Sequence, residues 1–404
     1  MKRLKNTIII SVSSLCILCT SVQSQEKGTF PVGTFELTPT LNVSLNKDSN
    51  ILRSNVDKID SLITVINPEF ILGKQIGEDK LFVGVNASKG IYHSSEVDNY
   101  TDYEFFANGE FEFDRRNRVA GSLVHTSGHD DRGTAYSLGS GNLLNSPDKY
   151  TNNLLEATYS YGATTASANI DVNILLRDID YDEDVLDVST FRLRDRKEKS
   201  LGSTLYYGVS PSTDLLVDVN YAVADYTGNI LDVASFDSKT KFLLVGAKWE
   251  TTAASSGFVK VGYQKRDFDV ASRAGFSGLK WDAGVSWNPI ERATFEFSTA
   301  SDTRETNGQG NFIRRKDYLA DWRHEWLERF STVVTISYSN DSYEGGSVPR
   351  NDKTHEFRVS ADYQFKRWLT LIAKVSYFDR DSDSTINNFD YNRSLISFAA
   401  QISL

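Results

Sequence analysis

Hydrophobic and polar residues take turns along this chain. From Glu356 to Gln364, Phe357, Val359, Ala361 and Tyr363 alternate with Glu356, Arg358, Ser360, Asp362 and Gln364. Leu215, Val217, Val219 and Tyr221 likewise oppose Asp218 and Asn220, and Ile170, Val172 and Ile174 oppose Asp171 and Asn173. Helical spacing does not hold carboxylates and arginines in strict alternation with apolar side chains; a strand does, with one apolar and one wet face. Eighteen such segments follow one another, each about ten to fourteen residues, the length a tilted strand needs to cross a bilayer.

The connections come in two sizes. Short ones fall at 77–79, 114–117, 162–164, 210–212, 250–256, 288–289, 327–328 and 366–367. Between them lie polar, Asp/Asn/Ser/Gly-rich stretches: 46–58, 93–102, 127–150, 178–197, 226–239, 268–277, 303–312, 341–352 and 379–390. An even strand number, short turns at one end and long loops at the other predict an all-β, transmembrane, antiparallel up-and-down β-barrel of about eighteen strands, the architecture of the Gram-negative outer membrane. A soluble sandwich has strands nearer five or six residues and no long-short alternation. Trp249, Trp287, Trp326 and Trp368 sit beside short turns and Tyr103, Tyr318, Tyr338 and Tyr377 near long-loop ends, as two interfacial girdles would. Pro39 and Pro68 fall inside strands, so bulges or a weakly paired first hairpin are expected there.

Composition refines this picture. Lys2, Arg3 and Lys5 precede an apolar run from Thr7 to Thr20, too short to span a membrane, and Val22-Gln23-Ser24 is a small-residue cleavage pattern. Residues 1–24 therefore read as a cleaved signal peptide and 25–404 as one barrel domain. Both cysteines, Cys16 and Cys19, lie in the signal, which leaves no thiol chemistry or disulfide to the mature chain. Loss of three cations takes the net charge from -10 to -13, a poor balance for nucleic-acid binding.

Candidate pore-lining residues follow from the inward register. They are Glu104, Glu110, Glu112, Glu156, Asp171, Arg177, Asp218, Lys260, Lys280, Asp282, Glu296, Asp321, Arg323, Glu356, Arg358, Asp362 and Lys374. Such a surface must be wet, because unpaired charges in a dry interior are costly. Eighteen strands about 4.8 Å apart and tilted about 40° close into a circle roughly 35 Å across, which side chains cannot fill. A water-filled pore is expected unless a loop such as 127–150 folds in to narrow it.

Little else points to chemistry, and no cofactor or metal is expected. The five histidines lack a specific metal-ligand spacing, and His324 and His355 fall on the outward register. His125 and Ser127, followed by Asp130 and Asp131, resemble the base and nucleophile of barrel lipid hydrolases, but three residues are a weak pattern and an ordinary polar loop base is the reading preferred. The runs Asp178, Asp180, Asp182, Glu183, Asp184 and Asp379, Asp381, Asp383 carry oxygen ligands suited to calcium, but no glycine where a tight calcium loop needs one. Solvated loops account for both, and the chain is not read as an enzyme.

Leu37-Thr38-Pro39-Thr40-Leu41-Asn42-Val43 with Asp48-Ser49-Asn50-Ile51, and the tail from Tyr377 to Ser382 with Phe389-Asp390-Tyr391-Asn392-Arg393, resemble the two ends of the putative β-barrel porin 2 family. Its EpsL/VpsM-like members are outer-membrane barrels of exopolysaccharide loci. The terminal Leu404 departs from the Phe or Trp common at the end of such barrels. The resemblance implies an exopolysaccharide export channel working beside a polysaccharide-export lipoprotein and co-polymerase machinery. Outer-membrane lipids and the barrel-assembly machinery are the further expected partners. The same barrel physics permits a general or solute-specific diffusion porin; a barrel hydrolase and a plugged structural or adhesive barrel are the remaining readings.

Overall fold

The computed structural model describes residues 28–163, 166–182, 194–227, 234–252, 254–346, 348–385 and 388–403. The expected signal peptide lies outside them. A short strand β1 (Phe30–Val32) precedes β2 (Phe35–Asp48), β3 (Ser61–Ile76), β4 (Asp79–Tyr92), β5 (Tyr100–Glu112), β6 (Asn117–Asp130) and β7 (Asp148–Tyr161). Next come β8 (Ala168–Tyr181), β9 (Arg196–Ser210), β10 (Thr213–Tyr226), β11 (Ser238–Thr252), β12 (Ser255–Phe268) and β13 (Phe276–Ile290). The chain ends with β14 (Ala293–Glu305), β15 (Phe312–Leu327), β16 (Phe330–Glu344), β17 (Arg350–Lys366), β18 (Leu369–Ser382) and β19 (Tyr391–Ser403).

Every strand from β2 to β19 pairs antiparallel with its sequence neighbours, and β19 returns to β2 in register from Leu395↔Asp48 to Ser403↔Thr40. The sheet is thus a closed barrel of eighteen long strands, with β1 as an added strand on β2. Closure satisfies the ladder that an open edge would leave exposed, which is what lets strands cross a membrane.

Alternation in the sequence becomes inside and outside. On β10, Leu215, Val217, Val219 and Tyr221 project outward with 40–50% of their surface uncovered, while Leu216, Ala224 and Tyr226 are buried on the inner face. The same outward exposure recurs at Leu243, Val245, Val259, Val261, Phe357 and Val375. An apolar belt running around the molecule exceeds anything a water-soluble monomer tolerates; hydrocarbon is the solvent it fits.

Two expectations need correction. The strands are longer than the apolar runs, from 13 residues in β5 to 17 in β17, because charged stretches read as loops continue the ladder. Asp178 faces Lys197 across β8 and β9 at 3.2 Å, so a run that reads as solvated loop is in part a cross-strand ion pair. The long connections shrink accordingly, for example to 131–147 between β6 and β7. Nor do the prolines create bulges. The register of β2 on β3 runs unbroken through Pro39↔Phe70 and Leu41↔Pro68. Between β3 and β4 the ladder stops after Ile66↔Lys89 and resumes in the same register at Glu69↔Asn86. There Asn67 Nδ2 donates to the Ala87 carbonyl at 2.6 Å and to Asn86 Oδ1 at 2.7 Å. Ala87 stands opposite Pro68 in that register, so the amide supplies the donor that proline lacks.

Candidate functional site: a charged lumen crossed by one loop

The inner wall is built from the even- or odd-numbered residues left over when the apolar set faces lipid. Each candidate pore residue lies on this inward register, at several heights. Glu110, paired with Lys80 at 2.8 Å, and Glu112 sit near the short-turn rim and are open to water. On the β10–β14 wall, Lys260 lies between Asp218 at 3.1 Å and Asp282 at 3.2 Å, and Lys280 meets Asp302 at 2.8 Å. Arg177 reaches Glu198 at 3.3 Å, and Arg358 pairs with Glu356. Asp321 accepts a hydrogen bond from Thr335 at 2.5 Å. Glu104, Glu112, Glu156, Asp171, Glu296, Asp321, Asp362, Arg323 and Lys374 have no ion-pair partner among the described residues, so the unpaired charge among these candidates is acidic by seven groups to two.

Near the long-loop rim the interior fills. Connection 131–147 leaves β6 and folds into the barrel mouth rather than over it. Its base is held by Asp131, which accepts from Arg53 at 2.8 Å and from Tyr92 at 3.2 Å, and meets His129 at 3.2 Å; His129 also contacts Asp102 at 2.9 Å. Burial alone would raise the Asp131 carboxyl, but the hydrogen bonds and charges of His129 and Arg53 outweigh it and hold the group well below the usual carboxylate range. Arg132 grips both Asp98 oxygens and also donates to the Leu144 carbonyl at 3.0 Å, which folds the connection back on itself. The Asp98 carboxylate in turn raises the Arg132 guanidinium above its ordinary value.

Farther along, the connection reaches across the lumen. Tyr136 packs against Tyr181 at 5.9 Å between ring centroids and lies 5.5 Å from the Arg194 guanidinium. On its other side is Gly308, in the connection between β14 and β15, where an added Cβ would stand 3.4 Å from the Tyr136 ring. Gly139, at φ 75°, lets the Phe389 ring approach; a Cβ there would be 2.6 Å from it. Phe389 is itself stacked beneath Arg350, 3.3 Å from centroid to guanidinium. A segment rooted between β6 and β7 therefore touches the connection of β14–β15, across the barrel, and that of β18–β19. Burial pushes the Tyr136 phenol up to about 12, and its hydroxyl has no hydrogen-bond partner among the described residues. Around this bar, Arg266 and Tyr226 both bind Glu305, at 2.6 and 2.7 Å, and Arg194 binds Asp148 at 2.7 Å.

Sequence reasoning did not single out this mouth cluster. Arg53, Asp98, Arg132, Asp148 and Arg194 lie in or beside stretches that look like solvated loops, and their partners are 34 to 78 residues away. The signal available was the large size of one connection among nine.

The residues of the hydrolase reading are not brought together as a catalytic set among the described residues. His125 and Ser127 project from the outer wall, opposite Phe105 and Tyr103. The His125 Nδ1 contacts Asn153 Oδ1 at 2.7 Å, Asp130 takes the Tyr181 hydroxyl at 3.0 Å, and Asp131 serves Arg53 and His129, so no carboxylate orients the His125 imidazole. His324 packs against Trp326 at 4.2 Å and His355 against Tyr338 at 4.9 Å on the outer face. Among the described residues no group of three or more His, Asp or Glu is placed to hold a metal; Glu183 and Asp184 lie outside them.

A closed β-barrel with an apolar outer belt, a charged lumen and one in-folded loop defines a transmembrane channel of porin type. The model of one family, described as putative beta-barrel porin 2, matches residues 26–402, and the chain belongs to that family. No curated protein matches it by sequence. Among solved structures it is similar to the outer membrane protein OpdK of Pseudomonas aeruginosa, at 10% identity and a TM-score of 0.49, covering 91% of this chain and 99% of that one. OccK3 (OpdO) of the same organism is similar at 11% identity and 0.47, covering 91% and 96%. The FrpB iron transporter of Neisseria meningitidis is similar at 10% identity and 0.47, covering 89% of this chain and 63% of that one.

Proposed function

We propose that the protein is an outer-membrane diffusion channel for small polar solutes, with the short turns in the periplasm and the long loops outside. The observation that carries this reading is the 131–147 bar, tied at its base by Arg132 to Asp98 and wedged at its far end against Gly308 and Phe389. A fixed bar limits solutes by size while leaving the charged wall to act on those that enter. Liposome swelling with a series of sugars of increasing size tests it: a sharp cutoff supports the reading, and equal passage of long oligosaccharides refutes it.

Export of an exopolysaccharide is the second reading. It is favoured by the wall of amides and hydroxyls on the first strands (Asn42, Ser44, Asn46, Asn67, Ser88), which offers many weak contacts to a sugar chain. It requires the bar to swing aside, with a polysaccharide-export lipoprotein and co-polymerase delivering the polymer from the periplasm. Deletion of the gene separates the two: lost surface polysaccharide with intact solute uptake belongs to export, and the converse to the diffusion channel.

A further inference from the structure

The outer wall of β4–β9 carries a feature that solute passage does not use. An open groove of about 610 Å³ crosses these strands on the face turned away from the lumen. Its floor is one cross-strand row, in register from Val83 through Ala107, Leu123, Leu155 and Leu176 to Lys199. Ala107 is the short side chain of this row, between the taller Phe105 and Leu123, each 54% exposed.

The row is inclined. Lys199 is only three residues below the rim end of β9, whereas Val83 is nine below the rim end of β4. The groove thus descends from a cationic end at the long-loop rim into the apolar belt. Six strands about 4.8 Å apart give it a length of roughly 24 Å, and with the strands tilted about 40° it drops roughly 15 Å, about the hydrocarbon depth of one leaflet.

Polar groups line only the upper side. His125 and Asn153, bonded to each other at 2.7 Å, stand beside the floor, followed by Asp178 and Lys197 in the neighbouring row. Lys197 reaches Asp178 at 3.2 Å and Lys199 reaches Asp225 at 3.3 Å, but both lysine side chains are about half exposed, 50% and 58%. Exposed pairs of this kind are weak, so the lysines can turn to a phosphate without a large loss. An imidazole–amide pair on a lipid-facing wall is polar surface that bare hydrocarbon chains leave unanswered.

We propose that this groove is a binding site for a phosphate-bearing lipid of the outer leaflet. Its phosphate lies between Lys197 and Lys199, its ester or amide linkage beside His125 and Asn153, and one acyl chain along Leu176, Leu155, Leu123 and Val83. Cations at one end and an apolar floor at the other complement an anionic headgroup and its chain. Neither free phosphate nor a neutral lipid satisfies both ends.

Native mass spectrometry of the full barrel in mild detergent, titrated with dimyristoyl phosphatidic acid, tests this. One phosphatidic acid should stay bound under activation that strips dimyristoyl phosphatidylcholine, and inorganic phosphate should not bind. Substituting Lys197→Ala with Lys199→Ala should weaken retention by about thirtyfold, the effect of two lysines facing an anionic headgroup. Leu123→Trp, which fills the floor, should abolish it; Ala107→Leu gives a milder filling should the larger ring hinder assembly. The pair Lys241→Ala and Lys265→Ala, on the outer wall beyond the groove, should change nothing. Equal retention of phosphatidylcholine, binding of phosphate alone, or full retention in both groove-filling variants overturns the proposal. So does a dimer or trimer that the filling variants disperse, which would make a second copy of the chain the occupant.

Discussion

Both oxygens of Asp98 are held by Arg132, Nε at 2.7 Å and a terminal nitrogen at 2.6 Å, and neither side chain is more than 9% exposed. This bidentate pair is where the in-folded loop is fastened to the β4–β5 connection. Breaking a buried pair costs about 3–5 kcal/mol, because one charge is left without its partner. Asp98→Asn should therefore free the bar: single-channel conductance in planar bilayers rises and larger sugars pass. Barrel closure is independent of this contact, so the heat-modifiable shift on gels should stay where it is.

The base of the same loop, at Asp131, should resist acid. Asp131 is held below the ordinary carboxylate range by Arg53 and His129. A group with a depressed folded pKa stabilises above its unfolded value, about 3.9, and that stabilisation goes only as pH falls through the lower folded value. Conductance should thus remain flat between pH 7 and about pH 4. In Asp131→Asn the bar should be looser across that whole window, and a wild-type step near pH 5 would contradict the assignment.

Selectivity follows from the uncompensated lumenal carboxylates. With Glu104, Glu156 and Asp171 lacking ion-pair partners among the described residues, the open pore should favour cations mildly. The triple variant Glu104→Gln, Glu156→Gln, Asp171→Asn should move the reversal potential in a salt gradient toward zero. Unchanged potential would place the selectivity elsewhere.

At the seam, Asp48 is 1% exposed and accepts from Arg393 at 2.8 and 2.5 Å, joining β2 to the start of β19. Asp48→Ala leaves that guanidinium with no carboxylate on the adjoining strand. The temperature of the gel shift should fall by several degrees, with conductance of the surviving barrels unaltered.

Orientation has its own test. Leu143 is 65% exposed at the long-loop rim, and Ser212 lies in the short turn between β9 and β10. Cysteine at Leu143 should react with a membrane-impermeant maleimide on whole cells, and cysteine at Ser212 only after the cells are broken.

Period-two alternation was enough to expose the barrel, its strand number and the two faces, because every strand obeys one constraint: lipid outside, water inside. Glu356, Arg358 and Asp362 could be placed inward from Phe357, Val359 and Ala361 alone. The mouth obeys no such periodic rule. Arg132 finds Asp98 34 residues back, and Arg53 finds Asp131 78 residues on, through connections whose paths depend on each other. The lipid-facing groove was equally hidden, since Val83, Leu123 and Lys199 become neighbours only once five successive registers are fixed.

One small substitution of parts in the first hairpins bears on how this sequence is free to drift. Where Pro68 removes a ladder donor, the Asn67 side chain fills in for it at the Ala87 carbonyl. The two positions are therefore epistatic. Losing Asn67 is harmful only while proline follows it, and once position 68 regains an N–H the amide becomes dispensable. Order of mutation then decides which lineages remain viable, although either end state closes the same barrel.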